Sequence, residues 1–423
     1  MLDRRQLLSL IPPSILAWLT ASPSAEAGAP NEKRAGKSLL VSPPVVQHPA
    51  VDGFVVSFAV SRLATGWVEW GLSAETLDRR AEVSYRGLVA ASDRVLMVPV
   101  VLGDRSGAGR RIYYRVVARP LTWRSTYQIE RGPAVAGSVR SVVMPDPAAT
   151  KACVAVVNDT HQHPGSLVPL ASRIERLSPD VLVWNGDACS SGFNTADDIP
   201  RILLTPGAKP HAPAEGGWAS TRPLLFVPGN HELFGEHARE LRDCLAPGPD
   251  ADAPYNFALR HGPLALIGLD TGQGKRDDDP SYAGTVACEP YRVHQSQWLR
   301  SVLKRPEIAS APHKVAFCHI PLRGLPGQSD GLSRNSGAMW SGDGARLWLP
   351  ILREAGVQLV VSGHQHAWHV IEPCDGLPMQ VIGGGNEPYN ATLIVLEANA
   401  TSLRVVIQDL AGTELAQRRL TRS

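Results

Sequence analysis

Five short polar groups stand directly after apolar runs in the later part of this 423-residue chain. "CVAVVN" is followed by Asp159-Thr-His161, "VLVWN" by Gly186-Asp187, and "LLFVP" by Gly229-Asn230-His231-Glu232. "KVAFC" precedes His319, and "QLVVS" precedes Gly363-His364-Gln-His366. A lone His or Asp at a strand end is ordinarily a cap or a satisfied loop residue. Five such groups in succession, in a chain with 13 His, supply imidazoles, the carboxylates of Asp159 and Asp187, and the amide of Asn230. That donor set suits two hard-to-borderline divalent cations, because it offers oxygen and nitrogen ligands, one carboxylate able to bridge, and no thiolate. Competing chemistries lack their signatures. No GxSxG elbow follows a strand, no HxHxDH run occurs, and no GxxxxGK[ST] loop is present.

Elements that could position these groups follow from periodicity. From Cys153 onward, apolar runs alternate with helical patterns such as Leu167, Leu170, Ile174 and Leu177, "HQSQWLRSVLKR" and "ARLWLPILREAG". The tail is β-rich, with "MQVIGGG", "TLIVLEA" and "LRVVIQDL". This grammar predicts an α/β domain with buried sheet faces and functional residues gathered at strand C-termini. Residues 38–145 read differently: Phe54, Val56, Phe58 and Val60 share one parity, and "GWVEWG", "RVLMVPVVL" and "RRIYYRVVAR" follow without a long amphipathic helix. Such spacing predicts an all-β sandwich, in which Trp67, Trp70, Trp123 and Tyr127 read as core or interface aromatics. "MPDPAAT" (144–150) is the linker into a domain spanning 150–423.

The ordered set DxH, GD, GNHE, H and GHxH resembles the calcineurin-like metallophosphoesterase superfamily. The resemblance spans essentially all of residues 153–370 and implies a four-layer α/β domain, two central mixed sheets flanked by helices. It further implies that Asp159, His161 and His366 hold one metal, that Asp187 bridges, and that Asn230, His319 and His364 hold the other. The implied cofactor is a pair of divalent ions, Mn, Fe, Zn, Co or Mg. Two cations about 3.5–4 Å apart lower the pKa of a bridging water, so that hydroxide can attack phosphorus in line, and they neutralise charge building on the phosphate oxygens. In this scheme His231 is the general acid or a donor to a phosphate oxygen, and Glu232 orients the loop or His231. His163, Glu232 and Arg323 are candidates to touch substrate or support the ligands, with His237, Asn335 and His369 as outer positions.

The N-terminal strands, "TGWVEWG" and "YYRVVA" above all, resemble the fibronectin type III-like domain of purple acid phosphatases. Two departures set the chain apart from that group. His161 stands where purple acid phosphatases have Gly, and Ser190 stands where the iron-binding Tyr would be, so tyrosinate-iron chemistry is not expected. "NDTHQH" also resembles the start of exported 5′-nucleotidases, yet only about 53 residues follow Val370, too few for their substrate domain. The expected activity is hydrolysis of phosphate mono- or diesters, on a small-molecule or polymer substrate. The alternative is a non-catalytic exported binding module that keeps the fold, against which the complete ligand set argues.

Residues 1–27 read as a cleavable export signal: Arg4-Arg5, an apolar segment, then Ala25-Glu26-Ala27. "RRQLL" resembles a twin-arginine signal, so a periplasmic or extracellular location is expected, with 28–37 as a linker. A net charge of +2 gives no evidence for nucleic-acid binding, and no later run is long enough for a membrane span. Among six cysteines none forms a CxxC pair; in an oxidising compartment Cys244 with Cys288 is the expected bridge.

Overall fold

Alternating apolar residues need two buried faces or one, and the chain uses both solutions. The computed structural model describes residues 38–103, 107–325, 328 and 339–421. The expected signal and linker over 1–37, and Asn335, lie outside the described residues. The chain divides into two compact units. One contains the described residues up to Met144 together with Thr195–Pro223 and Glu240–Ala251; the other contains Pro145–Asn194, Leu224–Arg239 and Asp252 onward.

In the first unit no α-helix occurs among the described residues before Pro145. Strands Val45–Ala50, Gly53–Ala59 and Val95–Val101 pair antiparallel. A second antiparallel set is built around Ala64–Gly71 and the long strand Arg111–Ser125. Phe54, Val56 and Phe58 from the first set, with Val60 just past its end, share one apolar cluster with Val68, Trp70, Ile112, Tyr114 and Val116 from the second, as their common parity requires. The aromatic expectation holds only in part. Trp67 and Trp70 are buried, whereas Trp123 and Tyr127 are exposed. Residues 195–223 are fastened to this unit by main-chain acceptors: Tyr114 donates to the Ser220 carbonyl at 2.7 Å, and Arg140 donates to the carbonyls of Ala214 and Gly216 at 2.8 and 2.9 Å.

The second unit holds two mixed sheets. The first contains β1 (Lys151–Val157), β2 (Val181–Asn185) and β3 (Leu224–Val227), all parallel. The second is built from β4 (Phe257–His261), β5 (Leu264–Gly268), β6 (His313–Phe317), β7 (Leu359–Ser362), β8 (His369–Ile371) and β9 (Met379–Ile382). Its strands β5, β6, β7 and β9 are parallel, while β4 and β8 run antiparallel at the edges. The tail strands β10 (Thr392–Asn399), β11 (Ser402–Asp409) and β12 (Glu414–Thr421) extend the first sheet beside β1 as an antiparallel meander.

Alternation along each strand divides the core. Val154 and Val156 of β1, Leu264 and Leu266 of β5, and Val315 and Phe317 of β6 meet in one apolar slab between the sheets. The intervening Ala265, Ile267 and Ala316 face outward and join a second cluster with Leu299, Val302, Trp348 and Leu352. Those last four come from helices α2 (Cys288–Val302) and α4 (Gly342–Glu354). Between them lies the short α3 (Pro306–Ala309). On the first sheet, α1 (Pro164–Leu177) carries the chain from β1 to parallel β2, and its Arg173 donates to Gln408 of β11 at 2.6 Å.

The expected disulfide is absent: all six cysteines are free, including Cys244 and Cys288. No helix among the described residues is long and apolar enough to cross a membrane.

Candidate metal centre

Parallel strands end on one edge, and the candidate ligands occupy that edge. Asp159 and His161 follow β1, Asp187 follows β2, Asn230 follows β3, His319 follows β6, and His364 and His366 follow β7. Reaching inward directly after a strand demands an abrupt backbone turn. Of eleven non-glycine residues with positive φ among the described ones, five are Asp159, His161, Asp187, His364 and His366. Such conformations cost roughly 1–3 kcal/mol each and persist where the surroundings over-determine them. The glycines help in a different way, by leaving room: a Cβ on Gly229 would lie 2.2 Å from Asp187 Oδ1, and one on Gly363 would lie 2.2 Å from Asp159 Oδ2.

The structure brings these ligands together in two groups. Donor atoms of Asp159, His161, Asp187 and His366 lie within 4.8 Å of one another, and so do those of Asp187, His319 and His364. Asp187 belongs to both. His161 Nε2 and His366 Nε2 stand 2.9 Å apart, and His319 Nε2 is 3.1 Å from Asp187 Oδ2. Asn230 adjoins Asp187 through its neighbour, since the His231 N–H donates to Asp187 Oδ1 at 3.0 Å.

Main-chain carbonyls set the imidazole tautomers. His161 Nδ1 lies 2.9 Å from the Cys189 carbonyl and His319 Nδ1 lies 2.9 Å from that of Asn185, so each Nδ1 donates to its carbonyl and each Nε2 is left facing the site. Divalent ions fit this arrangement. Asn230 Oδ1 is buried without a hydrogen-bond partner, while Asp159 Oδ1 and His319 Nε2 meet only other candidate ligands, His366 at 3.2 Å and Asp187 at 3.1 Å, an arrangement that a cation would complete. Charge within the cluster is strongly coupled. Burial opposes the His319 cation, yet Asp187 and Asp159 outweigh it and push the imidazole up to about 10. Burial likewise works to raise the Asp187 carboxyl, but His319 above all holds it well below the usual carboxylate range.

Glu232 sits beneath the ligands rather than among them. Its two oxygens accept the N–H groups of Gly229, Asp187, Ala188 and Cys189 at 2.6 to 3.1 Å. His231 is half-exposed; its Nδ1 donates to the Ser190 carbonyl at 2.6 Å and its Nε2 lies 3.8 Å from Asp187 Oδ2. Ser190 also donates through its hydroxyl to the His161 carbonyl.

Two candidates lie apart from both ligand groups. The Arg323 guanidinium donates to the carbonyls of Glu372 and Pro378 at 3.0 and 2.9 Å and reaches Cys374 Sγ at 3.0 Å, so it braces the 372–378 loop. His163 is the N-cap of α1, with Nε2 3.5 Å from Glu387, outside both ligand groups. His369 lies on the edge strand β8.

Three residues were passed over by the sequence reasoning. Asn158 donates to Asp159 Oδ2 at 2.6 Å and to the Gly384 carbonyl at 2.7 Å. Asn185 donates to the carbonyls of Cys318 and Val361, joining the ends of β2, β6 and β7 under the site. Gln273 donates to the Asn230 carbonyl at 2.8 Å. An amide closing a fully apolar strand, as in "VLVWN", was the available signal.

The calcineurin-like phosphoesterase family model matches residues 154–368, just over half of the chain. Among solved structures, a purple acid phosphatase from yellow lupin seeds is similar at 13% identity over 90% of this chain and 74% of its own, with TM-score 0.63. PhoD is similar at 12% identity over 93% and 94%, with TM-score 0.58. At these identities the likeness is one of fold. No curated protein matches the sequence.

Proposed function

We propose, from the premise that the chain belongs to the calcineurin-like phosphoesterase family, that it is an exported, binuclear metal-dependent hydrolase of phosphate mono- or diesters. That it is a phosphoesterase follows from the family; the mechanism, ligand roles and export are our reading. One observation carries it: two groups of donor atoms, each within 4.8 Å, share the single carboxylate of Asp187. Asp159, His161 and His366 would hold one divalent ion, Asn230, His319 and His364 the other, with Asp187 between them. When bound, such a pair supplies an activated water and neutralises phosphate charge.

The chain's own residues do the rest. Asp187 is held from below by Glu232 and at its Oδ1 by the His231 N–H, which keeps its two oxygens aimed at both ligand groups. His231, with Nδ1 tied to Ser190, presents Nε2 toward the site. As imidazolium it would give its proton to the leaving alcohol. Ser190 at the place of the purple-phosphatase Tyr supports a colourless, tyrosinate-free centre. The all-strand first unit, with one core shared by two antiparallel sets, supports a fibronectin type III-like sandwich. Export through a twin-arginine signal rests on residues 1–27.

The test is metal analysis with hydrolysis of a chromogenic phosphate ester. Wild type should carry close to two divalent ions per chain, and Asp187→Asn should lose both ions and turnover together. Unchanged turnover in that variant would overturn the assignment.

A further inference from the structure

We propose that the second unit holds an anion site built from none of the metal centre's residues, centred on Arg292 and taking a small tetrahedral oxyanion such as phosphate or sulfate. The residues buried on α2 are Cys288, Arg292, Gln295, Leu299 and Val302, so an arginine occupies the stripe where a helix normally turns apolar side chains inward. Arg292 is only 4% exposed. Its Nη2 donates to the Gln273 carbonyl at 3.1 Å, while Nε and Nη1 are buried with no hydrogen-bond partner. Arg323 shows the structural alternative, a guanidinium met by two carbonyls and a sulfur of one loop. Arg292 lacks that satisfaction: the buried Asp270 carboxylate is near enough to feel its charge, yet two of its nitrogens have no acceptor, and donors left unmet in the interior are costly.

What lies in front of it is a small pocket lined by Gly274, Lys275, Arg276, Arg292, Ser341, Gly342 and Asp343. One wall is the N-terminus of α4, a helix of 13 residues. The Ser341 side chain is committed to the Gly344 N–H at 3.1 Å, and the first-turn N–H groups of Gly342 and Asp343 have no intrahelical acceptor. Lys275 and Arg276 add two cations. Lys275 Nζ lies 3.7 Å from Asp279, and Arg276 lies 3.4 and 3.7 Å from Asp278 and Glu289. Asp343 is the one acidic residue in the lining, and Arg346 holds its Oδ1 at 3.2 Å. The two rim cations are shared with carboxylates outside the lining, so the selection of an anion with several acceptor oxygens rests on the donor-rich buried guanidinium and the helix N-terminus.

Calorimetric titration of sodium sulfate and sodium phosphate into the full-length chain tests this, with Asp187→Asn as the background that disables the metal centre. The Asp187→Asn chain should retain one saturable site. Adding Arg292→Gln should weaken it by at least about tenfold. Because a buried substitution can impair folding, a Lys275→Gln/Arg276→Gln double variant on the rim should independently weaken it several-fold. Glycerol 2-phosphate, run alongside, separates a free ion from the phosphoryl end of an ester; binding of either class supports the site. Absence of saturable binding in the Asp187→Asn chain, or unchanged affinity in both arginine and rim variants, would overturn it. The readout is binding, so it stands or falls apart from hydrolysis.

Discussion

The Glu232 carboxylate accepts the Asp187 backbone N–H at 2.9 Å and, through its other oxygen, the N–H groups of Ala188 and Cys189. A fully buried acid is thereby used as a template for the loop that carries the shared ligand. Glu232→Gln replaces one acceptor oxygen with an NH₂ facing main-chain donors. It should destabilise the fold by about 3 kcal/mol and lower metal content, both measured on one sample by thermal unfolding and elemental analysis. A variant that kept wild-type Tm and two ions would show that the template is dispensable.

His231 touches the site without belonging to either ligand group. His231→Ala should therefore keep its metal ions but lose turnover by about 10²–10⁴ on esters of poor leaving alcohols. Esters of acidic phenols, whose leaving groups need no proton, should suffer far less. Equal losses across a leaving-group series would remove the general-acid role.

Space beneath the first ligand group is as constrained as chemistry above it. A Cβ at Gly363 would sit 2.2 Å from Asp159 Oδ2 and 3.0 Å from the Asn158 side chain. Gly363→Ala should displace Asp159 and cost about 100-fold in kcat, with metal affinity reduced. Normal kcat with full metal occupancy would contradict the placement of Asp159.

Away from the site, Asp180 accepts the Cys153 N–H at 2.7 Å and stands 3.2 Å from His261. Burial alone would raise its carboxyl, but His261 and the Cys153 N–H outweigh it and leave the pKa lowered. A depressed carboxyl contributes stability above its unfolded pKa, near about 4, and loses it as pH falls through the folded value. Asp180→Asn should thus lower stability at pH 7 by no more than about 1 kcal/mol, because the carboxylate is half-exposed, and Tm should fall accordingly. The gap should close below about pH 4; a gap that widened in acid would reverse the sign of this contribution.

Legibility varied with the physical origin of each signal. Strands β1, β2, β6 and β7 were visible as apolar runs because they are buried on both faces, and β1 ends at Val157, one residue before Asn158, as expected. Strand β12, "ELAQRRLT", hides because none of its residues is fully buried and its half-covered positions include Arg418 beside Leu415, Ala416 and Leu420. Residues 195–223 and 240–251 carry no periodic pattern that would assign them to the first unit. Their attachment runs through carbonyl acceptors such as Ser220, which every residue type possesses.

From the sequence alone came the ligand inventory, its order along the chain and its position at strand ends, because metal-binding side chains and strand-forming runs are both written in residue types. Tertiary structure alone decided which donors share Asp187, that Glu232 serves the backbone, and that Arg323 braces a loop. Those outcomes depend on distances between segments far apart in the chain. The physical reason is that local pattern encodes what a residue can do, while the packing of two sheets determines what it meets.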